Sequence, residues 1–348
     1  MIVVNGEPFI RYNLENIYPH AHEILIVEGA VEKFRHAATP AGHSIDNTVE
    51  IIKNFPDPAN KIKLIQRYGF WSEKDEMSNA YMEACTGDYI WQVDVDEFYK
   101  KEDIEKIRTL LSQDPEISRV DVRSVVFWRS FKARIMGASY IYGADEFIRI
   151  FKFKPGYRYL THRPPTLIDE NGQQFDHKKI LSASELERQG IVQYHYSFVF
   201  PEKVKGKAEY YSRMGWGQGH EDGLVWFEEN MCNIANPLRL HMIKYPPSWL
   251  VLYECDHPEI INVMCKHIDY KESPEIIEYL VKESKRYQVI GANIAKLLSA
   301  LRVHEMSRIS AFIGCIKNIV LPSSKKQFNA DITIIYTAFQ MLINRPGC

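Results

Sequence analysis

The chain has 348 residues, with 43 Lys and Arg against 45 Asp and Glu, a formal net charge of -2, and 45% hydrophobic and 25% charged residues. That is the balance of a soluble globular protein, and it argues against one that holds nucleic acid by bulk electrostatics, which needs a net basic face; a local basic groove stays open. The length suits two domains, or one domain with an appendage. The six cysteines, at 85, 232, 255, 265, 315 and 348, form no CxxC pair and match neither a zinc site nor a disulfide framework, which points to reduced thiols. The opening MIVVNGEPF lacks the basic region and long apolar stretch of a signal peptide. No run reaches the roughly 20 apolar residues that span a bilayer. Residues 309–321 and 332–343 are shorter and interrupted by polar residues, and read as buried helices. An amphipathic segment can also lie at a membrane surface. The expected location is cytoplasmic, with peripheral membrane contact left open.

Along the first third, two periodicities alternate. Ile2-Val3-Val4 is a short apolar run, and Phe9, Ile10, Leu14 and Ile17 give a helical pattern from Pro8, a residue suited to a first turn. Residues 23–27 read as a strand closed by Glu28-Gly29-Ala30. A helix begins near Ser44 or Asp46, either of which can cap it, and runs to Phe55. Residues 61–66 are strand-like. Ser72 opens a helix carrying Met77, Ala80, Tyr81 and Ala84, with Gly87 expected as a left-handed C-terminal cap. Residues 88–93 form a fourth strand that runs straight into Asp94-Val95-Asp96-Glu97. Strands alternating with helices of this size predict βαβ units and a mostly parallel sheet, whose ligands bind beyond the carboxyl ends of the strands. Glu28 and the 94–97 cluster are thereby expected on one edge.

From Arg119 the pattern changes to longer strands, at 119–128 and 146–153. A loop rich in Tyr, Arg and Pro is expected at 155–165, a strand at 191–200 and a helix at 201–214. From Ser273-Pro274 onward the chain reads as helical, Ser273 suiting a cap and Pro274 a first turn.

The acidic cluster carries the clearest chemistry. Three carboxylates within four residues after a buried strand repel one another, and a divalent cation is the usual compensation; Mg²⁺ or Mn²⁺ takes oxygen ligands from one or two carboxylates together with substrate phosphates. The plainer reading is an acidic turn that caps the helix from Asp103 onward.

Residues 1–98 resemble the nucleotide-binding half of glycosyltransferase family 2 and its GT-A-fold relatives. The resemblance rests on Val3-Val4-Asn5-Gly6-Glu7 as a strand and polar turn, on Glu28 ending the second strand, and on Ser44, Asp46 and Thr48 opening a helix. It continues through Asn79, Ala84 and Gly87-Asp88-Tyr89-Ile90 to Asp94 and Asp96. It departs from the family in having almost nothing before the first strand, and Glu with no Asp-Gly-Ser run at the second.

The resemblance implies an α/β, GT-A (Rossmann-like) fold: a mostly parallel central sheet flanked by helices, with a C-terminal helical appendage. Residues 1–118 would be the nucleotide-sugar half, 119–257 the acceptor and catalytic half, and 258–348 a helical region. Val4, Asn5, Glu28, Asn79, Asp94 and Val95 would bind the donor, with Glu28 meeting base or ribose. Asp94 and Asp96 would hold Mn²⁺ or Mg²⁺, and His195 would complete the metal site; on its own residues, His195 reads equally as a hydrogen-bonded core histidine. Arg163, in His162-Arg163-Pro164-Pro165, suits a phosphate clamp, and His162 a contact to acceptor or leaving group; a rigid polar loop is the alternative.

If transfer inverts the anomeric centre, a base must take the acceptor proton. Glu146 is the first candidate and Asp145 the second, since the pair precedes Arg149 as a family 2 acidic element precedes its Arg. His220-Glu221-Asp222 lies in a Gly-rich loop flanked by Trp216 and Trp226, and Lys203, Lys205, Lys207 and Arg213 form a basic helix face.

The expected function is transfer of a sugar from a nucleoside-diphosphate sugar, a UDP-sugar favoured, to the hydroxyl of a saccharide, a lipid-linked saccharide or another acceptor. The alternatives are a non-catalytic nucleotide-sugar-binding or assembly protein, and a nucleotidyltransferase on the same fold. The last usually wants a basic, Gly-rich first loop, which residues 5–8 lack. The C-terminal helices are open to acceptor, membrane or a second copy of the chain.

Overall fold

The structure is a computed structural model that describes residues 1–137, 146–162, 165–175, 178–213, 223–232, 248–279 and 282. It divides into two compact units. The first comprises Met1–Val126, Glu146–Ser197 and Cys255–Lys271, and the second Phe127–Asp145, Phe198–Glu254 and Glu272–Cys348.

The first unit opens with strand β1 (Ile2–Val3), helix α1 (Phe9–Ile17), β2 (Ile24–Glu28), α2 (Thr48–Lys53), β3 (Ile62–Ile65) and α3 (Lys74–Ala84). β1, β2 and β3 form a parallel sheet, with Ile2 opposite Val27 and Ile26 opposite Leu64. α1 buries Ile10 and Leu14 against Val3, Ile24, Ile26 and Ile52, and Val95 from the acidic turn packs on the same cluster. Fully burying an aliphatic side chain of this kind contributes about 1.5–3 kcal/mol, so it is this layer that fixes the sheet edge carrying the site.

The mixed α/β architecture expected from the sequence is present, and its parallel βαβ part is this three-stranded set. β4 (Tyr89–Trp91) pairs antiparallel with β8 (Glu146–Lys152), which pairs antiparallel with the long β6 (Ile117–Trp128). β5 (Glu97–Phe98) pairs antiparallel with β12 (Gln193–Phe198), which lies beside β6, and β11 (Lys179–Leu181) runs parallel to β6. α4 (Lys101–Gln113) packs Ile104, Ile107 and Leu111 on Val120, Val122 and Ile150 of this sheet.

Two local expectations are corrected. α3 ends at Ala84 with Cys85 extended, and Gly87 is not among the residues with positive φ, so it does not form a left-handed cap. The Tyr- and Arg-rich stretch expected as loop contains β9 (Arg158–Thr161), paired antiparallel with β10 (Thr166–Ile168). Its alternate residue Tyr159 is buried, and that anchors the hairpin.

In the second unit β7 (Ala133–Gly137) pairs antiparallel with β13 (Ser248–Leu252). The helix expected at 201–214 is observed as Pro201–Arg213. Of the region expected to be helical, Glu259–His267 and residues 274–279 are α-helical, and everything from residue 283 onward lies outside the described residues. Among the described residues, no helix is long and apolar enough to cross a membrane.

Candidate active site

The acidic turn is built by its own backbone and by two distant side chains. Gln92 N–H donates to the carbonyl of Arg149 at 2.7 Å, which carries the β4 pairing up to the turn. Glu97 N–H donates to Asp94 O at 3.0 Å, and Asp94 N–H donates back to Glu97 Oε2 at 3.0 Å. The amide nitrogen of Asn13, from buried α1, approaches the carbonyls of Asp94, Val95 and Glu97 at 3.3, 3.2 and 2.8 Å. One amide thus spans the turn, sharing its two hydrogens among three carbonyls, of which that of Asp94 also accepts from Glu97 N–H.

The three acids are not equivalent. Glu97 is fully buried and forms an ion pair with Arg149, whose side chain is 3% exposed. A buried carboxylate persists as an anion only when paired and hydrogen-bonded, and Glu97 meets both conditions. It is a structural acid, whereas Asp94 and Asp96 remain at the turn itself.

Asp96 and His195 come together. β12 places His195 opposite Glu97 and Tyr194 opposite Phe98, and Tyr196 N–H donates to Asp96 O at 2.9 Å. The register leaves His195 Nε2 3.4 Å from Asp96 Oδ1, with both side chains mostly buried. Val95, expected at the donor, packs its side chain on the α1 core.

Glu28 ends β2 with its carboxylate fully enclosed. Oε1 accepts from Ser44 N at 2.7 Å and Ser44 Oγ at 2.8 Å, while Oε2 contacts His43 Nδ1 at 2.8 Å and Gln66 Nε2 at 2.7 Å. The turn after β1 is laced to the same segment. Asn5, at φ 53°, donates from its backbone N–H to Ser44 Oγ at 2.9 Å, and its side-chain oxygen accepts from Ile45 N at 2.8 Å. Gly6 N–H donates to Thr48 Oγ1 at 2.6 Å, and Glu7 N–H to Asp46 Oδ2 at 3.1 Å. Asn tolerates the left-handed region that this turn requires. Val4 is half-buried between the strand and Asn5. A Cβ on Gly6 would lie 3.2 Å from Val95 Cγ2, so the β1 turn touches both the Glu28 network and the acidic turn.

Asn79 joins α3 to β9. Its side chain accepts from Tyr159 N at 2.7 Å and donates to Tyr159 O at 3.2 Å, pinning β9 to α3. His162 is buried, with its backbone N–H on Asp75 and Nδ1 2.9 Å from Ser78 Oγ. Tyr81 donates to Tyr159, whose hydroxyl lies 3.3 Å from Gln92 Oε1, and burial pushes both phenols well above the ordinary tyrosine range. They act as neutral hydroxyls. Glu146 is the first residue of β8, opposite Arg123. Asp145, Arg163, Trp216 and the 220–222 acidic group lie outside the described residues. Trp226 is buried against Phe198 in the second unit.

The sequence reading missed Asn13, Gln66 and His43, because polar residues far along the chain reach these sites only through the fold. Arg149 stands out in the sequence only as the residue that follows the acidic pair.

Residues 42–170 match the model for glycosyl transferase family 2. Over that segment the chain is similar to glycosyltransferase family 2. The match takes in Asn79, Asp94, Asp96 and Glu146, while Asn5, Glu28 and His195 lie outside it. No curated protein matches the chain significantly. Among solved structures, TarS residues 1–349 from S. aureus is 12% identical, over 70% of this chain and 74% of that one, with a TM-score of 0.31. The same protein in complex with UDP-GlcNAc is 16% identical over 36% of this chain, with a TM-score of 0.26, and the match spans only 32% of that structure. The mannosyltransferase PcManGT from Pyrobaculum calidifontis, in complex with GDP-Man and Mn²⁺, is 11% identical over 99% of this chain and 86% of that one, with a TM-score of 0.36. All three scores are below 0.5, and the functional reading rests on the family match and the site.

Proposed function

We propose that the chain is a metal-dependent glycosyltransferase that moves a sugar from a nucleoside-diphosphate sugar to an acceptor hydroxyl, with inversion. The observation that carries this reading is the convergence of Asp96 and His195, 3.4 Å apart at the end of an acidic turn that lies in the family 2 segment.

Among the described residues, no three His, Cys, Asp or Glu side chains gather as a ready-made metal cage. Mn²⁺ or Mg²⁺ is commonly held by one or two carboxylates and completed by substrate phosphates. Asp96 and His195 offer a carboxylate and an imidazole, donors compatible with Mn²⁺, and Asp94 stands two residues before Asp96 on the same turn. Bound there, the cation supplies electrophilic stabilisation of the charge that develops on the departing diphosphate.

The chain's own residues do the rest. Val4, Asn5, Glu28 and Asn79 form or support the donor edge, and Arg163 clamps phosphate. Glu146, ahead of Asp145, takes the proton of the acceptor hydroxyl as it attacks. In this reading residues 1–118 serve the donor, 119–257 the acceptor, and 258–348 a partner or surface.

The test is thermal stability with UDP-, GDP-, CDP- and dTDP-sugars, with and without Mn²⁺. A ligand that binds only the folded state raises the melting temperature as its concentration exceeds its dissociation constant. A metal-dependent rise for one nucleotide, absent in Asp96→Ala, is expected. Full transferase activity in Asp96→Ala would remove the metal from the mechanism.

A further inference from the structure

The carboxylate of Glu28 is saturated. It is fully buried, and its two oxygens receive four contacts, from Ser44 N and Oγ, His43 Nδ1 and Gln66 Nε2, all between 2.7 and 2.8 Å. A carboxylate offers about four lone-pair sites, and here each has a partner. A group so engaged has nothing left to offer a nucleoside, the role that the family resemblance assigns to it.

Glu28 instead fixes its neighbour. An ionised carboxylate only accepts, so the proton between Glu28 and His43 sits on His43 Nδ1. In that tautomer the imidazole's lone pair lies at Nε2. Gln66 Nε2 also stands 3.4 Å from His43 Nδ1, but its shorter contact is the 2.7 Å one to Glu28. The His43 side chain is 28% exposed where that of Glu28 is wholly enclosed, and no described residue hydrogen-bonds its Nε2.

The backbone around His43 is firmly held. His43 N–H donates to Thr39 Oγ1 at 3.0 Å, Thr39 N–H to His43 O at 2.8 Å, and Ala30 N–H to Gly42 O at 2.8 Å. These bonds return the chain to the carboxyl end of β2, the edge where open α/β sheets bind their ligands.

We propose that His43 reads the nucleoside of the donor, its Nε2 accepting a hydrogen bond from a ribose hydroxyl or a base N–H, and that Glu28 is a positioning residue that sets the His43 tautomer. This rests on the nucleotide-sugar reading above and names the residue at its donor end.

Two substitutions separate the roles. Asn at position 43 keeps a donor near the place of Nδ1 and loses the outward acceptor, and Gln keeps an acceptor near the place of Nε2. Wild type, His43→Asn, His43→Gln and His43→Ala are titrated calorimetrically with UDP, GDP, CDP and dTDP, and with inorganic pyrophosphate, all with Mn²⁺. Melting of the free variants confirms that each is folded. Affinity for the nucleoside diphosphate is expected to fall about tenfold in His43→Asn and His43→Ala, the scale of one lost hydrogen bond, and to hold within a few-fold in His43→Gln. Pyrophosphate, having no nucleoside, should bind all four proteins alike. Wild-type affinity in His43→Asn, or an equal loss for pyrophosphate, would overturn the assignment while leaving the donor reading in place. A wild-type protein that binds none of the four nucleotides would overturn both.

Discussion

His195 Nε2 approaches Asp96 Oδ1 to 3.4 Å because β12 sets His195 opposite Glu97, one residue beyond Asp96. If this pair holds the cation, His195→Ala should weaken Mn²⁺ binding by about 10- to 100-fold in the presence of a nucleoside diphosphate. Paramagnetic titration of Mn²⁺ reads this directly. An unchanged Mn²⁺ affinity would return His195 to the plain role of a strand histidine.

Arg149 and Glu97 support the turn from inside. Arg149→Met leaves a buried carboxylate without its cation, and breaking one side of such a pair costs about 3–5 kcal/mol. Combining it with Glu97→Gln should recover part of that loss, since no isolated charge then remains. Urea denaturation of the two single variants and the double variant measures the coupling.

Asn13→Asp tests the amide that spans the turn. The substitution exchanges a donor facing three carbonyls for an acceptor. A loss of about 1–3 kcal/mol is expected from unsatisfied buried groups, together with weaker Mn²⁺ binding. Stability that matches wild type would mean that the turn holds its shape by its own backbone.

Gly42 sits at φ +85°, and a Cβ there would come within 2.1 Å of the Gly69 carbonyl. Gly42→Ala therefore meets both a strained conformation and a backbone clash. It should cost at least about 1–3 kcal/mol and displace His43, which nucleotide titration would report as lost affinity.

Acid stability has a definite sign at Asp57. Burial alone would raise its carboxyl, but hydrogen bonds from Ile62 N, Tyr18 and Lys61 N outweigh burial and hold it below the ordinary aspartate range. A depressed folded-state value gives stability that is present above the unfolded-state value and lost as the pH falls through the folded one. Urea midpoints followed from neutral pH into the acid range should decline, and Asp57→Asn should flatten part of that decline.

Much of the first unit was legible because its elements are local. Ile24 to Val27 and the Leu14–Ile17 face announce themselves by periodicity, and the acid run at 94–97 by its density of charge. The partner of β4 was not legible, since parallel and antiparallel strands share the same alternation and only the fold brings β8 beside it. The division of labour among the three acids was hidden for a related reason: Glu97 is singled out by Arg149, which lies on another strand. His43 was hidden by the loop that carries the chain from Glu28 out and back, so that two residues in contact stand 15 apart in sequence.

The neutralisation of Glu97 by Arg149 has a consequence for charge balance. With one of the three negative charges cancelled inside the protein by Arg149, the formal negative charge that Asp94 and Asp96 themselves bring to the turn is two. A single divalent cation brings that account to zero. The negative charge of a donor's diphosphate would then need a counterweight from outside the acidic turn, supplied by basic side chains elsewhere in the chain.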